Sequence, residues 1–274
     1  LSAGLTFLLS GCSGGQEPSR ATATAPAEKG SGTRRMAARL DEITGSLDPV
    51  NNVFLNTQRA AGIRAEIEKT PSHRMILLPL LAEELLRAGR TEDAIAIGES
   101  LLHPDPHDAV QAPPAVGTHR FLGLCYMRLG EQETCVARHG IDSCLAPIRG
   151  TGVHTLPRGS RAAIREFTAV LEDQPNDLGA RWLMNIACMT LGEYPDKVPA
   201  KWLIPQKTFA SEYDIKRFYD IAPKLGLAIQ GHAGGAIMDD FDGDGDLDLL
   251  IATMGARDQM RYFLNNGDGM FTDR

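Results

Sequence analysis

Asp239-Asp240-Phe241-Asp242-Gly243-Asp244-Gly245-Asp246-Leu247-Asp248 puts six aspartates into ten residues, and the C-terminal part of the fold turns on this stretch. Carboxylates at contact range repel by roughly 1 kcal/mol per pair even in water. A chain that crowds them in this way either leaves a solvated acidic turn or provides for a cation. The spacing favours the cation. Asp240, Asp242, Asp244 and Asp248 fall at positions 1, 3, 5 and 9 of a short loop, and Asp246, at position 7, has a backbone carbonyl to offer. Gly243 and Gly245 permit the left-handed backbone that wraps such oxygens around one point. The donors are oxygens alone, with no Cys or His between them, so a hard metal is expected. Calcium takes ~6–8 oxygens at ~2.3–2.6 Å and accepts irregular geometry, whereas magnesium uses fewer protein ligands. Asp239 is assigned a structural role, turned away from the ion.

The start of this loop is shared with the EF-hand, which also requires a bidentate Glu at position 12 and a helix on each side. Position 12 here is Ile251. The flanks, Ala236-Ile237-Met238 before and Leu249-Leu250-Ile251 after, are short apolar runs bounded by glycine, which predict buried strands. The loop therefore joins two strands. Tyr262-Phe263-Leu264 predicts a third strand, Asn265 to Gly269 a turn rich in residues that tolerate positive φ, and Phe271 the opening of a fourth.

Gly234-Gly235-Ala236, the aspartate loop and Leu264-Asn-Asn-Gly-Asp-Gly-Met-Phe271 together resemble an FG-GAP/VCBS-type repeat, a blade of an integrin-like β-propeller. Phe218-Tyr-Asp-Ile-Ala-Pro-Lys-Leu-Gly-Leu227 resembles the lead-in of cartilage-acidic-protein-like (ASPIC/UnbV-associated) proteins. The resemblance covers about the last sixty residues. It implies a Ca2+ site with Asp240, Asp242, Asp244, Asp246 and Asp248 as the ligands of this blade. Phe218-Tyr-Asp220 is echoed by Phe271-Thr-Asp273, 53 residues later, close to one blade period. A propeller closes with ~4–8 blades, so residues 228–274 are expected to be an incomplete first blade and the chain a fragment of a longer protein.

At the other end, Leu5 to Gly11 is apolar and closes on Leu9-Ser10-Gly11-Cys12. An apolar stretch ending in small residues predicts an export signal, too short to span a bilayer. The Cys after Ser-Gly resembles the lipobox of bacterial lipoproteins, which implies cleavage after residue 11 and lipidation of Cys12; the plainer alternative is an ordinary signal peptide, or a short membrane anchor, with an incidental Cys. Ser13 fits an outer-membrane or cell-surface position facing the periplasm or exterior. Residues 13 to about 35 lack large apolar side chains, and 12–45 is expected to be a flexible tether.

Residues 46–200 predict a helical domain. Leu81, Leu85, Gly89, Ala94, Gly98, Leu101 and Pro106 fit the spacing of a tetratricopeptide repeat, and Leu122, Gly123, Tyr126 and Gly130 match a second first-helix. The matching second helix (Ala163, Phe167, Val170, Pro175) comes 28 residues late, which predicts an insertion over 131–158. A third first-helix spans 181–191, and Pro195 and Pro199 block its partner. A plain bundle of amphipathic helical hairpins is the alternative. Residues 201–227 are a connector. The whole is expected to be an α + β multidomain chain, tetratricopeptide-like hairpins leading into a truncated propeller.

Cys135 and Cys144 lie in the insertion, and export makes a disulfide between them possible. A loop of that size gains roughly 2.5 kcal/mol by the loop-entropy argument. Cys125 and Cys188 sit in helices beside apolar residues and are expected to be buried thiols; redox or metal chemistry is the alternative. Arg149 and His154, beside Gly150 and Gly152, offer either a small anion or ligand pocket or a turn whose side chains bond backbone carbonyls. The stretches around residues 147–154, 180–187 and 191–199 also resemble the helical portion of the cartilage-acidic-protein-like family.

The 274 residues leave room for two domains and a tail, and the net charge of −7 comes mostly from the aspartate loop. No basic stripe with interleaved aromatics predicts nucleic-acid binding. No Gly-x-Ser-x-Gly elbow, phosphate loop, dinucleotide fingerprint or His-Glu-x-x-His occurs. The function expected is that of an exported, lipid-anchored, calcium-binding scaffold, with protein partners engaged by helical repeats and propeller loops. The alternative is an exported enzyme, acting on polysaccharide or another substrate, with its active site in a part not contained in these residues.

Overall fold

The computed structural model describes residues 31–106, 108, 112–136, 142–143, 145–213, 218–229, 231, 234–255 and 258–274. The chain divides into two units, Leu1–Ser46 and Leu47–Arg274. The described residues contain eight α-helices and one small antiparallel sheet of four strands, an α+β arrangement. None of these helices is long and apolar enough to cross a membrane.

In the first unit, α1 covers Ser31–Gly45, where a flexible tether was expected. The difference has a local cause. Arg34 to Ile43 is built from strong helix formers, and Met36, Leu40 and Ile43 recur at spacings of four and three. The tether composition holds only as far as about residue 35.

In the second unit the helices are α2 (Asn56–Lys69), α3 (Arg74–Arg87), α4 (Thr91–Leu102), α5 (Ala115–Gly130), α6 (Arg158–Asp173), α7 (Leu178–Thr190) and the single turn α8 (Ala222–Leu225). From α2 to α7 each helix packs on the next in the chain. Small residues set the approach. A Cβ on Gly98 would stand 2.7 Å from the Leu122 side chain, one on Gly123 2.6 Å from the Phe167 ring, and one on Gly159 2.6 Å from the α5 backbone at Gly130. The buried face of α6 (Ala162, Ala163, Glu166, Phe167, Val170, Leu171) follows the three-to-four spacing of a helix that buries one stripe. Leu122 and Phe167 fill the space that Gly98 and Gly123 leave.

Two acidic side chains inside this core are paired, as burial of a charge requires. Glu84 fastens α3 to α2 through Asn56 Nδ2 at 2.8 Å and Arg59 Nε at 2.9 Å. Glu166 meets His119 Nδ1 of α5 at 2.8 Å. After α7 the chain folds back without a helix through Pro195 and Pro199. Arg181 of α7 donates to the carbonyls of Trp202 and Leu203, at 3.0 and 2.6 Å, and Asn185 donates to that of Trp202 at 3.0 Å. The returning segment thereby seats Trp202 in the core.

The sheet is a meander of β1 (Ala236–Asp239), β2 (Asp248–Ile251), β3 (Arg261–Asn265) and β4 (Phe271–Asp273), in that order. Asp239 pairs with Asp248, so the aspartate loop is the β1–β2 connection. The strands were expected to be buried. β2 and β3 are half-buried, but β1 is open, with Ile237 57% and Met238 60% exposed. β1 is an edge strand of a sheet this small, so it gains shelter from one neighbour only.

Candidate metal centre

Strands β1 and β2 bring the aspartate loop back on itself, and two glycines let it turn. Gly243 and Gly245 have φ of 82° and 95°, a region costly for any residue with a Cβ. The loop then closes on its own carboxylates. Asp240 Oδ1 accepts from the N–H of Gly243 at 2.7 Å and of Asp244 at 3.1 Å, and Oδ2 accepts from Gly245 at 3.0 Å. Asp242 Oδ1 accepts from Asp244 N at 3.2 Å, and Asp244 Oδ1 from Asp246 N at 2.8 Å. Aspartate side chains that bond backbone two or three residues onward stabilise such turns.

The result brings Asp240, Asp242 and Asp244 together, one carboxylate oxygen from each lying within 4.8 Å of the others. Asp240 is half-buried and the other two are exposed. Desolvation in the loop, together with the charges of Asp244, Asp248 and Asp240, holds the Asp242 carboxyl above its ordinary pKa. A carboxylate raised by like charges is one that an added cation would relieve. Three hard oxygens converging from one loop suit a hard divalent cation.

Asp248 stands apart from that triad. It is fully buried. Its Oδ2 accepts from Tyr262 Oη at 2.7 Å and Phe241 N at 3.3 Å, and its Oδ1 from Asn265 N at 2.8 Å. The Tyr262 bond foremost lowers the Asp248 pKa, and the same bond pushes Tyr262 up to about 12. Asp248 thus ties β2 to β3 and to the start of the loop. Phe241 lies edge-on to the Tyr262 ring, centroids 5.9 Å apart, over the same contact. Asp246 is half-buried beside the β3–β4 turn, its Oδ2 2.8 Å from where a Cβ on Gly267 would lie. Asp239 accepts the N–H of Asp240. The brace formed by Asp248, Tyr262 and Asn265 is invisible to loop spacing, because its donors arrive from 14 to 17 residues downstream.

Of the remaining expected sites, Cys12 and Cys144 lie outside the described residues. Cys135 is half-buried at the end of a single π turn, Glu131–Cys135, that extends α5. Its Sγ is 3.4 Å from His154 Nε2. His154 is buried against Gly130 and Ser160, whereas Arg149 is exposed. Cys125 and Cys188 are buried in the helical core. No family model matches the chain, and neither a curated protein nor a solved structure does.

Proposed function

We propose that this chain belongs to an exported, lipid-anchored scaffold in which Ca2+ bound by the aspartate loop stiffens the β-sheet and the helical hairpins present a surface to a protein partner. The convergence of Asp240, Asp242 and Asp244 on a strand-to-strand loop carries the proposal. These side chains would supply three ligands, with Asp246 and Asp248 of the same loop completing the set. The bound cation cancels mutual repulsion and holds the β1–β2 connection in one conformation; its role is structural. The helices are read as tetratricopeptide-like, in keeping with their serial packing and with glycines at the closest approaches. The sheet is read as one FG-GAP/VCBS-type blade of a β-propeller, in keeping with its four-stranded meander. An open cleft of about 310 Å³, bordered by Arg64, Glu68 and Arg90, supports the partner-binding role of the helical part.

Calorimetric titration of the folded chain with Ca2+ and with Mg2+ tests the metal. Ca2+ is expected to bind and raise the melting temperature, a response abolished by Asp244→Ala and by chelator. Absence of heat and of any thermal shift with Ca2+ would remove the assignment. The anchor has its own test: radiolabelled palmitate should enter the wild-type protein in a bacterial host and fail to enter Cys12→Ser.

A further inference from the structure

Cys135, His154, Ser160 and Thr190 form a chain of hydrogen-bonding atoms that crosses from the π turn to α6 and α7. Cys135 Sγ lies 3.4 Å from His154 Nε2, His154 Nδ1 3.1 Å from Ser160 Oγ, Thr190 Oγ1 2.8 Å from Ser160 Oγ, and Thr190 Oγ1 2.8 Å from the Ala187 carbonyl. One assignment of hydrogens satisfies all four contacts. The Ala187 carbonyl only accepts, so Thr190 donates to it; Ser160 then donates to Thr190. Ser160 Oγ is left to accept from His154 Nδ1–H, and His154 Nε2 carries no proton on the side that faces the thiol. The ring cannot turn away. The His154 backbone N–H is bonded to the Thr190 carbonyl at 2.7 Å, and Gly130 leaves room for the imidazole and nothing more, a Cβ there falling 3.1 Å from Nδ1.

We propose that His154 is the general base of a reactive Cys135 thiol and that the pair carries out thiol–disulfide exchange with a small or protein-borne disulfide. His154 Nε2 removes the thiol proton as Cys135 Sγ attacks one sulfur of R–S–S–R′. The Sγ–S bond forms, the S–S bond breaks, and R′–S⁻ departs and takes up the proton from His154. The attacked disulfide is the oxidant, so atoms and electrons balance. Acyl transfer fits less well, because it requires N–H donors for a developing oxyanion. Among the described residues, the backbone N–H groups of Val136 and His154 are already bonded to Glu131 O and Thr190 O. Disulfide exchange needs no such donors.

Burial keeps His154 below its ordinary pKa, opposed by the Glu131 carboxylate. The hydrogen-bond chain leaves Nε2 as the acceptor that faces Cys135 Sγ, and the proton moves during attack. A disulfide between Cys135 and Cys144 would be the oxidised resting form of the same thiol, and reduction before the assay opens it.

The test uses the full chain, reduced and desalted, with 4,4′-dithiodipyridine as the probe and peptide mapping to identify which cysteine reacts. An ordinary thiol with a pKa of ~8.5 is only about 1% ionised at pH 6.5. Cys135 is expected to react at pH 6.5 at least about tenfold faster than the same residue in an unfolded peptide of the local sequence, and ahead of Cys125 and Cys188, as expected for base-assisted attack. His154→Gln should abolish that advantage. Should His154→Gln fail to fold by circular dichroism, Ser160→Ala, which removes the acceptor that fixes the tautomer, should lower the rate severalfold. A Cys135 rate equal to that of the peptide, or unchanged in whichever variant folds, would overturn the assignment.

Discussion

Asp248 Oδ2 and Tyr262 Oη meet at 2.7 Å inside the sheet, a hydrogen bond between a fully buried carboxylate and the neighbouring strand. An acceptor-only group in that position depends on every donor it has. Tyr262→Phe removes one and leaves the ring packing intact. The expected outcome is a fall of several degrees in the thermal midpoint of the sheet, followed by near-ultraviolet circular dichroism. Asp248→Asn should be more damaging, because the amide turns donor groups toward Tyr262 or Asn265 N. A Tyr262→Phe midpoint equal to wild type would show that the bond does not hold the strands.

Gly123 of α5 lies directly against the Phe167 ring of α6. A methyl group there would lie 2.6–2.9 Å from three atoms of the fully buried Phe167 ring. Overpacking of this kind costs ~1–3 kcal/mol. Gly123→Ala should therefore lower the denaturant midpoint without altering the m-value. Adding Phe167→Leu to Gly123→Ala should cost less than the sum of the two single changes, since residues in contact couple. Strict additivity in this cycle would contradict the packing.

This pair also shows what the sequence discloses. The glycine and the phenylalanine stand 44 positions apart, yet each marks the closely packed stripe of its own helix, and helical periodicity is a local signal. The aspartate loop was legible for the same reason: its alternation, its glycines and the apolar runs on either side are all contiguous. Three features escaped. Helix α1 was hidden by the polar composition of the residues before it. The openness of β1 depends on how many strands cover it, which no local pattern encodes. The hydrogen bonds of Asp248 and His154 come from distant strands and helices, so loop spacing does not disclose them.

Glu193 sets an acid limit on the helical unit. Arg161 grips it with two contacts of 2.6 Å and Lys197 adds one of 2.8 Å, which lowers its pKa from the ordinary 4.5 to about 2. A carboxyl depressed in the folded state binds fewer protons there than in the unfolded chain between those two values. Its stabilising contribution is thus complete above pH 4.5 and disappears as the pH falls toward 2. Glu193→Gln should lower the melting temperature at pH 7 and make no difference near pH 2. A constant difference across that range would mean that the Arg161 contacts do not act through ionisation.

Arg181 decides whether the segment after α7 stays docked. Its guanidinium supplies donors to two consecutive carbonyls, Trp202 and Leu203, while Asn185 completes the staple by accepting from Ile204 N at 3.1 Å. Trp202 is buried and Trp182 is substantially exposed, so the two indoles report different environments. In a Trp182→Phe background the emission of Trp202 should be blue-shifted, as for an indole held away from water. Arg181→Met retains the aliphatic stem and removes the donors, each net hydrogen bond contributing ~0.5–1.5 kcal/mol. The expected result is a red shift with greater quenching by acrylamide, while helical circular dichroism stays near the wild-type value because α2 to α6 do not depend on the staple. Unaltered emission in Arg181→Met would place the anchoring of this segment in Trp202 packing alone, and the two carbonyl bonds would then contribute nothing measurable to holding it.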